Sequence, residues 1–316
     1  MKKVLVTGAG GFVGTHLIHS LKKQKDVEIF AAVYKSTSDL SSLLDHDHIF
    51  AGDLTDFEFT SQLIKNCAPD VIYHLAALSV VHNSHEKALD LMNGNTAISY
   101  NLLESTRLYA PKARFVAICS ANVYGAVQDT SKPINESTPI RPLNAYAVSK
   151  VIQEMLALQY YLAYSLDVII LRPFNHTGVG QTTDFVIPRL AEQFAKIERG
   201  EIDSIIEVGN LDSVRDFTDV RDMVDAYVMA EQQAKSGEIY NIGRGKGYTV
   251  KQILDILQSL SKSKVEIKVN VEFVRTSDVP VLIADSTKFT TLTSWQGQYS
   301  LEETISDILN SYRNSK

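Results

Sequence analysis

The sequence predicts an α/β protein: a doubly wound parallel sheet followed by a smaller α/β lobe. Three observations lead there. The chain opens on a short β-rich apolar run, Lys3-Val4-Leu5-Val6-Thr7, which passes at once into Gly8-Ala9-Gly10-Gly11-Phe12-Val13-Gly14 and a helix patterned by Leu17 and Leu21. Apolar runs over 28–33, 71–75, 114–119 and 168–172 then alternate with helix-length segments, the rhythm of parallel strands joined by helical crossovers. After Pro173 the elements shorten and Arg, Asp and Gly cluster, with no repeat, low-complexity tract or Pro/Gly/Ser linker between. Residues 1–174 are thus assigned to a Rossmann domain to which 216–243 return, and 175–215 with 244–316 to the second lobe.

The first turn carries phosphate chemistry. Gly8 allows a tight bend, Gly11 lets backbone approach a pyrophosphate, and Gly14 lets helix pack on strand. An anion then sits at the helix N-terminus, drawn by free N–H groups and the dipole. The spacing departs from a strict G-x-G-x-x-G, because Val13 stands where its last glycine would be. The second strand ends in Ala32-Val33-Tyr34-Lys35-Ser36, where folds selective for NAD place Asp or Glu on the ribose 2′-hydroxyl. A cation and hydroxyls there tolerate a 2′-phosphate, which favours NADPH over NADH; Lys35 reads equally well as an exposed loop lysine.

Later strands lead to the reacting groups. Cys119-Ser120-Ala121-Asn122-Val123-Tyr124-Gly125 falls at a strand's C-terminal end, where doubly wound sheets bind ligands. In Asn144-Ala145-Tyr146-Ala147-Val148-Ser149-Lys150 a helix puts a phenol and an ammonium on one face, one turn apart. A phenol with pKa near ~10 exchanges protons poorly at neutral pH unless a positive charge favours its anion, and Lys150 supplies one. Ser120 is placed to orient a carbonyl beside Tyr146, or simply to cap a strand end.

Composition narrows the class. The chain has 316 residues, 45% hydrophobic and 22% charged, enough for a large core, and its net charge of −6 gives no general attraction to nucleic acid or anionic membrane. The apolar run after Met1-Lys2-Lys3 is too short for a signal-peptide core, so a cytoplasmic location is expected. Cys67 and Cys119 lack metal-ligand spacing and read as buried thiols; His74, His46 and His48 read as structural or surface residues. Asp216, Asp219 and Asp222 read as helix-start carboxylates beside arginines, so no metal is expected.

Six motifs in order resemble the extended short-chain dehydrogenase/reductases, the nucleotide-sugar epimerases, dehydratases and reductases. They are 7–14, Gly52-Asp53-Leu54-Thr55-Asp56, His74-Leu75-Ala76-Ala77, Asn95 before Asn101-Leu102-Leu103-Glu104, 120–125, and Tyr146-x-x-x-Lys150. The resemblance implies Ser120, Tyr146 and Lys150 as the catalytic set. It implies a dinucleotide contacted by Gly8, Gly11, Phe12, Val13, Gly14, Tyr34, Lys35, Asp53, Leu54, Ala76 and Ala77, and by Tyr146 and Lys150. On the residues alone, Asp53 is also a good cap for a helix starting near Thr55. The resemblance further implies a homodimer through a four-helix bundle built on 95–108 and 151–162, whose apolar stripes otherwise face the core.

A narrower likeness lies in Arg172-Pro173-Phe174-Asn175-His176-Thr177-Gly178, then Phe185-Val186-Ile187-Pro188-Arg189, Val214-Arg215-Asp216 and Arg275. These resemble the group holding GDP-mannose 4,6-dehydratase and GDP-4-keto-6-deoxy-D-mannose reductase. By that likeness Asn122, Asn175, Arg189, Arg215 and Arg275 bind a nucleotide-diphosphate sugar, GDP-linked by the same likeness, the arginines as forks for phosphate. Dehydratases of the group carry an acid at the position of Asn122, needed to move protons at C5 and C6, and Asn can do neither task. Reduction of a C4 ketone by NADPH, as in GDP-rhamnose synthesis, is therefore expected ahead of 4-epimerisation or 4,6-dehydration. A non-catalytic NADP-sensing regulator would have no need of the three retained catalytic residues.

Overall fold

The computed structural model describes residues 1–34, 40–79, 85–273 and 279–314. The chain runs through β1 (Lys2–Thr7), α1 (Phe12–Leu21), β2 (Val27–Val33), β3 (Ile49–Ala51), α2 (Phe57–Cys67) and β4 (Val71–His74). It continues through α3 (His85–Tyr109), β5 (Arg114–Ile118), α4 (Ala145–Tyr164) and β6 (Val168–Pro173). There follow β7 (Asn175–Thr177), α5 (Val186–Glu198), β8 (Ile205–Val208), β9 (Val214–Asp219), α6 (Val220–Gln233) and β10 (Ile239–Ile242). The chain closes with β11 (Gly247–Thr249), α7 (Val250–Leu260), β12 (Glu266–Val269), β13 (Val281–Leu282), α8 (Thr287–Thr293) and α9 (Leu301–Asn314).

The seven-stranded sheet of the described residues has the order β10-β6-β5-β4-β1-β2-β3. Every pairing in it is parallel. The expected doubly wound fold is therefore the observed one. Because side chains alternate across a strand, each strand feeds two cores. Val4, Val6, Ile29, Tyr73, Val116 and Ile169 face α1 and α6. Leu5, Phe30, Ile72, Phe115 and Ile170 face α2, α3 and α4. Burial on both faces is why these strands read as continuous apolar runs.

Order reverses between β1 and β4, the point at which such sheets open a crevice. His74 ends β4 there, fully buried. Its Nε2 lies 3.1 Å from the Ser99 hydroxyl and its Nδ1 3.2 Å from that of Thr7. Ser99 gives its one proton to the Asn95 carbonyl at 2.9 Å, so Nε2 is the donor in that pair. The structural reading of His74 is the observed one.

A third core, with Phe194, Ile206, Phe217, Ile253, Leu257, Ile305 and Leu309, lies between α5, α7 and α9. Strands β11, β9 and β13 form one small sheet, with β7 also on β9, and β12 pairs β8. Phe289 of α8 and Trp295 pack instead into the core beside α6, so that part of the C-terminal segment rejoins the large sheet. No helix among the described residues is long and apolar enough to cross a membrane.

The cap of α2 differs from expectation. Asp56, not Asp53, accepts the N–H groups of Glu58 and Phe59, so α2 begins at Phe57. Asp53 closes a tighter turn by accepting from the backbone and hydroxyl of Thr55. The chain must finish that turn before it can enter the helix.

Behind the crevice, Arg172 of β6 and Glu154 of α4 form an ion pair with 2% and 0% of their side chains exposed. Arg172 also donates to the Tyr124 hydroxyl at 2.8 Å, which donates to Asn241 at 2.6 Å. Two charges so deep are tolerable only as a pair with every partner present. Replacing Glu154 by Ala should cost about 3–5 kcal/mol in urea unfolding, whereas replacing both Glu154 and Arg172 by Met should recover most of it. A single-variant loss under about 1 kcal/mol would show that the pair does not act as a buried pair.

Candidate active site

Local chemistry sets the start of α4. The Asn144 side chain caps it by accepting from the Ala147 N–H at 2.8 Å, which puts Tyr146 in the first turn and Lys150 one turn later. Lys150 is 3% exposed. Its Nζ lies 5.8 Å from the centre of the Tyr146 ring and donates to the Ile118 carbonyl at 2.9 Å and to Gln153 Oε1 at 2.8 Å. Ser120, just past β5, accepts from the Asn122 N–H at 3.2 Å and lies near enough to the Tyr146 phenol to favour its anion. Three residues predicted from two separate stretches of chain thus lie together.

Burial dominates their electrostatics. It pushes the Tyr146 phenol up to about 12, partly offset by Ser120, and pulls the Lys150 ammonium down to about 8. The expected lowering of the phenol by Lys150 is not the ruling effect. The ammonium is tied to Ile118 and Gln153, and desolvation of the phenol is the larger influence.

Asn95 joins this corner to the strand end beside it. It accepts from Leu78 N–H at 2.8 Å and donates to Leu78 carbonyl and to Ser149 Oγ, at 3.1 and 3.0 Å. Ser149 in turn donates to the Tyr146 carbonyl at 2.8 Å. The loop carrying Ala76 and Ala77 is thereby anchored to α4. Gln153 is a site residue that the motifs did not flag; its one signal in the sequence is a polar amide three residues after Lys150.

The glycine turn faces the same crevice. A Cβ on Gly8, whose φ is +68°, would lie 2.8 Å from the Ala76 nitrogen, and one on Gly14 would lie 2.4 Å from the Gly8 carbonyl oxygen. Gly11 begins α1 with no side-chain cap, so the N–H groups at Phe12 and Val13 open the helix without competition from a capping side chain. This bare helix start, hemmed by positions that accept no side chain, fits a dinucleotide pyrophosphate. Leu54 is buried, whereas Asp53 and Tyr34 are exposed at strand ends along the same edge. Lys35 lies outside the described residues.

The substrate-side residues are dispersed over several elements. Asn175 and Arg215 lie on the paired strands β7 and β9, and the buried Asn175 Oδ1 has no partner among the described residues. Arg215 is half-buried; Arg189, on α5, and Asn122 are exposed. Arg275 lies outside the described residues. Each acidic residue near β9 is separately engaged. Asp216 accepts N–H groups of Arg244, Gly245 and Ala284, and burial raises it to about 6. Asp219 caps α6 and pairs with Arg221, while Asp222 accepts from Gln298, Tyr299 and Arg244.

Comparison with known proteins gives concordant results. The chain is 35% identical over 287 residues to GDP-6-deoxy-D-talose 4-dehydrogenase of Aggregatibacter actinomycetemcomitans, covering 90% of this chain and 89% of that one. It is 29% identical over 311 residues to GDP-6-deoxy-D-mannose reductase of Pseudomonas aeruginosa, covering 98% and 97%. A solved structure of RMD from Pseudomonas aeruginosa complexed with NADPH superposes with a TM-score of 0.87 at 27% identity, over 99% of each chain. The model of the family described as GDP-mannose 4,6 dehydratase matches residues 5–308. With that match spanning nearly the whole chain, including the crevice between β1 and β4, the protein belongs to the GDP-mannose 4,6-dehydratase family of extended short-chain dehydrogenase/reductases.

Proposed function

We propose that this enzyme reduces the C4 ketone of a nucleotide-diphosphate 4-keto-6-deoxy sugar, GDP-4-keto-6-deoxy-D-mannose in the first instance, with NADPH. The observation that carries the reading is the Tyr146 phenol, beside Ser120 and on the same helix as a buried lysine. NADPH, when bound, supplies the hydride that reaches C4. Tyr146 gives its proton to the ketone oxygen, Ser120 orients that oxygen, and Lys150 holds a ribose hydroxyl of the coenzyme. Gly8, Gly11, Phe12, Val13 and Gly14 hold the pyrophosphate, and Tyr34, Asp53, Leu54, Ala76 and Ala77 border the rest of the coenzyme. The NADPH in the Pseudomonas aeruginosa RMD structure supports that choice of donor.

Reduction is favoured over dehydration by the absence of a suitable acid at two places. Asn122 has no proton to give or take, and the buried Asp216 carboxylate is committed to three backbone N–H groups. Asn122 and Asn175 are assigned to sugar or diphosphate oxygens, and Arg189 and Arg215 to the diphosphate. A second reading differs only in the configuration at C4. The talose 4-dehydrogenase relative favours GDP-6-deoxy-D-talose as product, whereas the mannose reductase relative favours its C4 epimer. The free buried thiols Cys67 and Cys119 fit a reducing compartment such as the cytoplasm.

The same reading includes a homodimer. Tyr100, Leu108 and Tyr109 on α3 and Met155, Leu162 and Tyr164 on α4 are exposed apolar side chains on two helices packed side by side. A four-helix interface would bury them.

Purified protein offered nucleotide 4-keto-6-deoxy sugars with NADPH should oxidise the coenzyme and yield one C4 alcohol, identified by NMR; no coenzyme oxidation with any sugar of the panel would refute the reading. Tyr146→Phe should keep NADPH affinity within about twofold yet lower kcat by about 10²–10⁴, since only the proton donor is lost. Sedimentation equilibrium should give twice the 35.1 kDa chain mass, and a monomer at micromolar concentration would reject the interface.

A further inference from the structure

Among the described residues, Lys150 is a cation with no anion to face it. On its own helix, Tyr146 is a phenol kept neutral by burial, and the Glu154 carboxylate is held by Arg172. From β5, the Cys119 thiol is pushed up to about 12 and is neutral; from β4, His74 is pushed down to about 3 by burial, with the Lys150 charge adding to the effect. The two groups that do touch the ammonium are neutral dipoles, the Ile118 carbonyl and the Gln153 amide.

Gln153 is 2% exposed and spends both ends of its amide here. Its oxygen accepts from Lys150 at 2.8 Å, and its nitrogen donates to the same Ile118 carbonyl at 3.1 Å. The three groups close a triangle. An ammonium has three N–H donors, so two are fixed and the third is left for a ligand hydroxyl.

We propose that Gln153 is a positioning residue for Lys150: its amide keeps the ammonium charged and pinned at the end of β5, in the one orientation that leaves a single N–H for the coenzyme ribose. The proposal rests on the reading that Lys150 serves the reductase as a cation. Removing the amide oxygen leaves the buried charge with one acceptor, and the neutral amine gains ground. Putting a carboxylate there does the reverse. Lys150, lowered from its ordinary value to about 8, loses its proton as pH rises through that value, so function that needs the cation is present below it and fades above.

The test is a ¹³C NMR titration of the lysine Cε resonances in the full-length protein without coenzyme, with the Lys150 signal identified by its loss in Lys150→Arg. In Gln153→Met the Lys150 midpoint should fall by about one pH unit, and in Gln153→Glu rise by about one to three. The alkaline limb of kcat/KM for NADPH-dependent reduction should move in the same two directions. Midpoints within about 0.3 unit of the parent in both variants, or shifts of one sign in both, would overturn the proposal. Should Gln153→Met fail to fold, Gln153→Glu decides alone: a rise supports the proposal and no change overturns it. Because the titration needs no turnover, a parent protein inert toward NADPH would sink the assigned function while leaving this result to stand by itself.

Discussion

The burial of Lys150 constrains everything near the crevice. A desolvated ammonium is costly unless it finds acceptors, and the structure supplies them from the end of β5 and from the next turn of α4. Satisfying it therefore fixes how far α4 slides along the sheet and how it is rotated. One turn on, Glu154 meets Arg172 of β6 and fastens the same helix to the neighbouring strand. Tyr146 and Ser120 inherit their positions from these two attachments, because one sits on that helix and the other follows that strand.

A second constraint, steric rather than electrostatic, shapes the other wall. Gly8 and Gly14 sit where backbone presses on backbone, at the reversal of strand order between β1 and β4. The close approach of Gly8 to Ala76 brings the turn, the start of α1 and the end of β4 together. Asn95 then links the loop after β4 to Ser149 and so to α4. Through these contacts the glycine turn and the phenol belong to one continuous framework.

The acidic residues of β9 and the start of α6 show how alike sequence and unlike roles can be. Asp216 collects three backbone N–H groups and holds the loops after β10 and before α8 against β9; Asp219 starts α6; Asp222 ties the segment before α9. Each carboxylate is engaged by backbone N–H groups or an arginine.

The sequence by itself determined the sheet, the glycine turn and the Tyr146/Lys150 pair, because each is written in local periodicity or in short spacing: apolar runs buried on both faces, glycines where no Cβ fits, and two side chains a helical turn apart. It also marked Ser120, from its place at a strand's C-terminal end and from the family resemblance. Of the two readings of Asp53, the cap falls to Asp56, because Asp at a turn and Asp at a helix start look alike until the Thr55 contact is seen. Only the tertiary structure decided the electrostatics: desolvation, not the charge of Lys150, governs the phenol, and Gln153 has the role of holding the ammonium. Burial and hydrogen-bond partners arise from residues distant in the chain, such as Ile118 against Lys150, and no spacing rule encodes which carbonyl a buried cation will find.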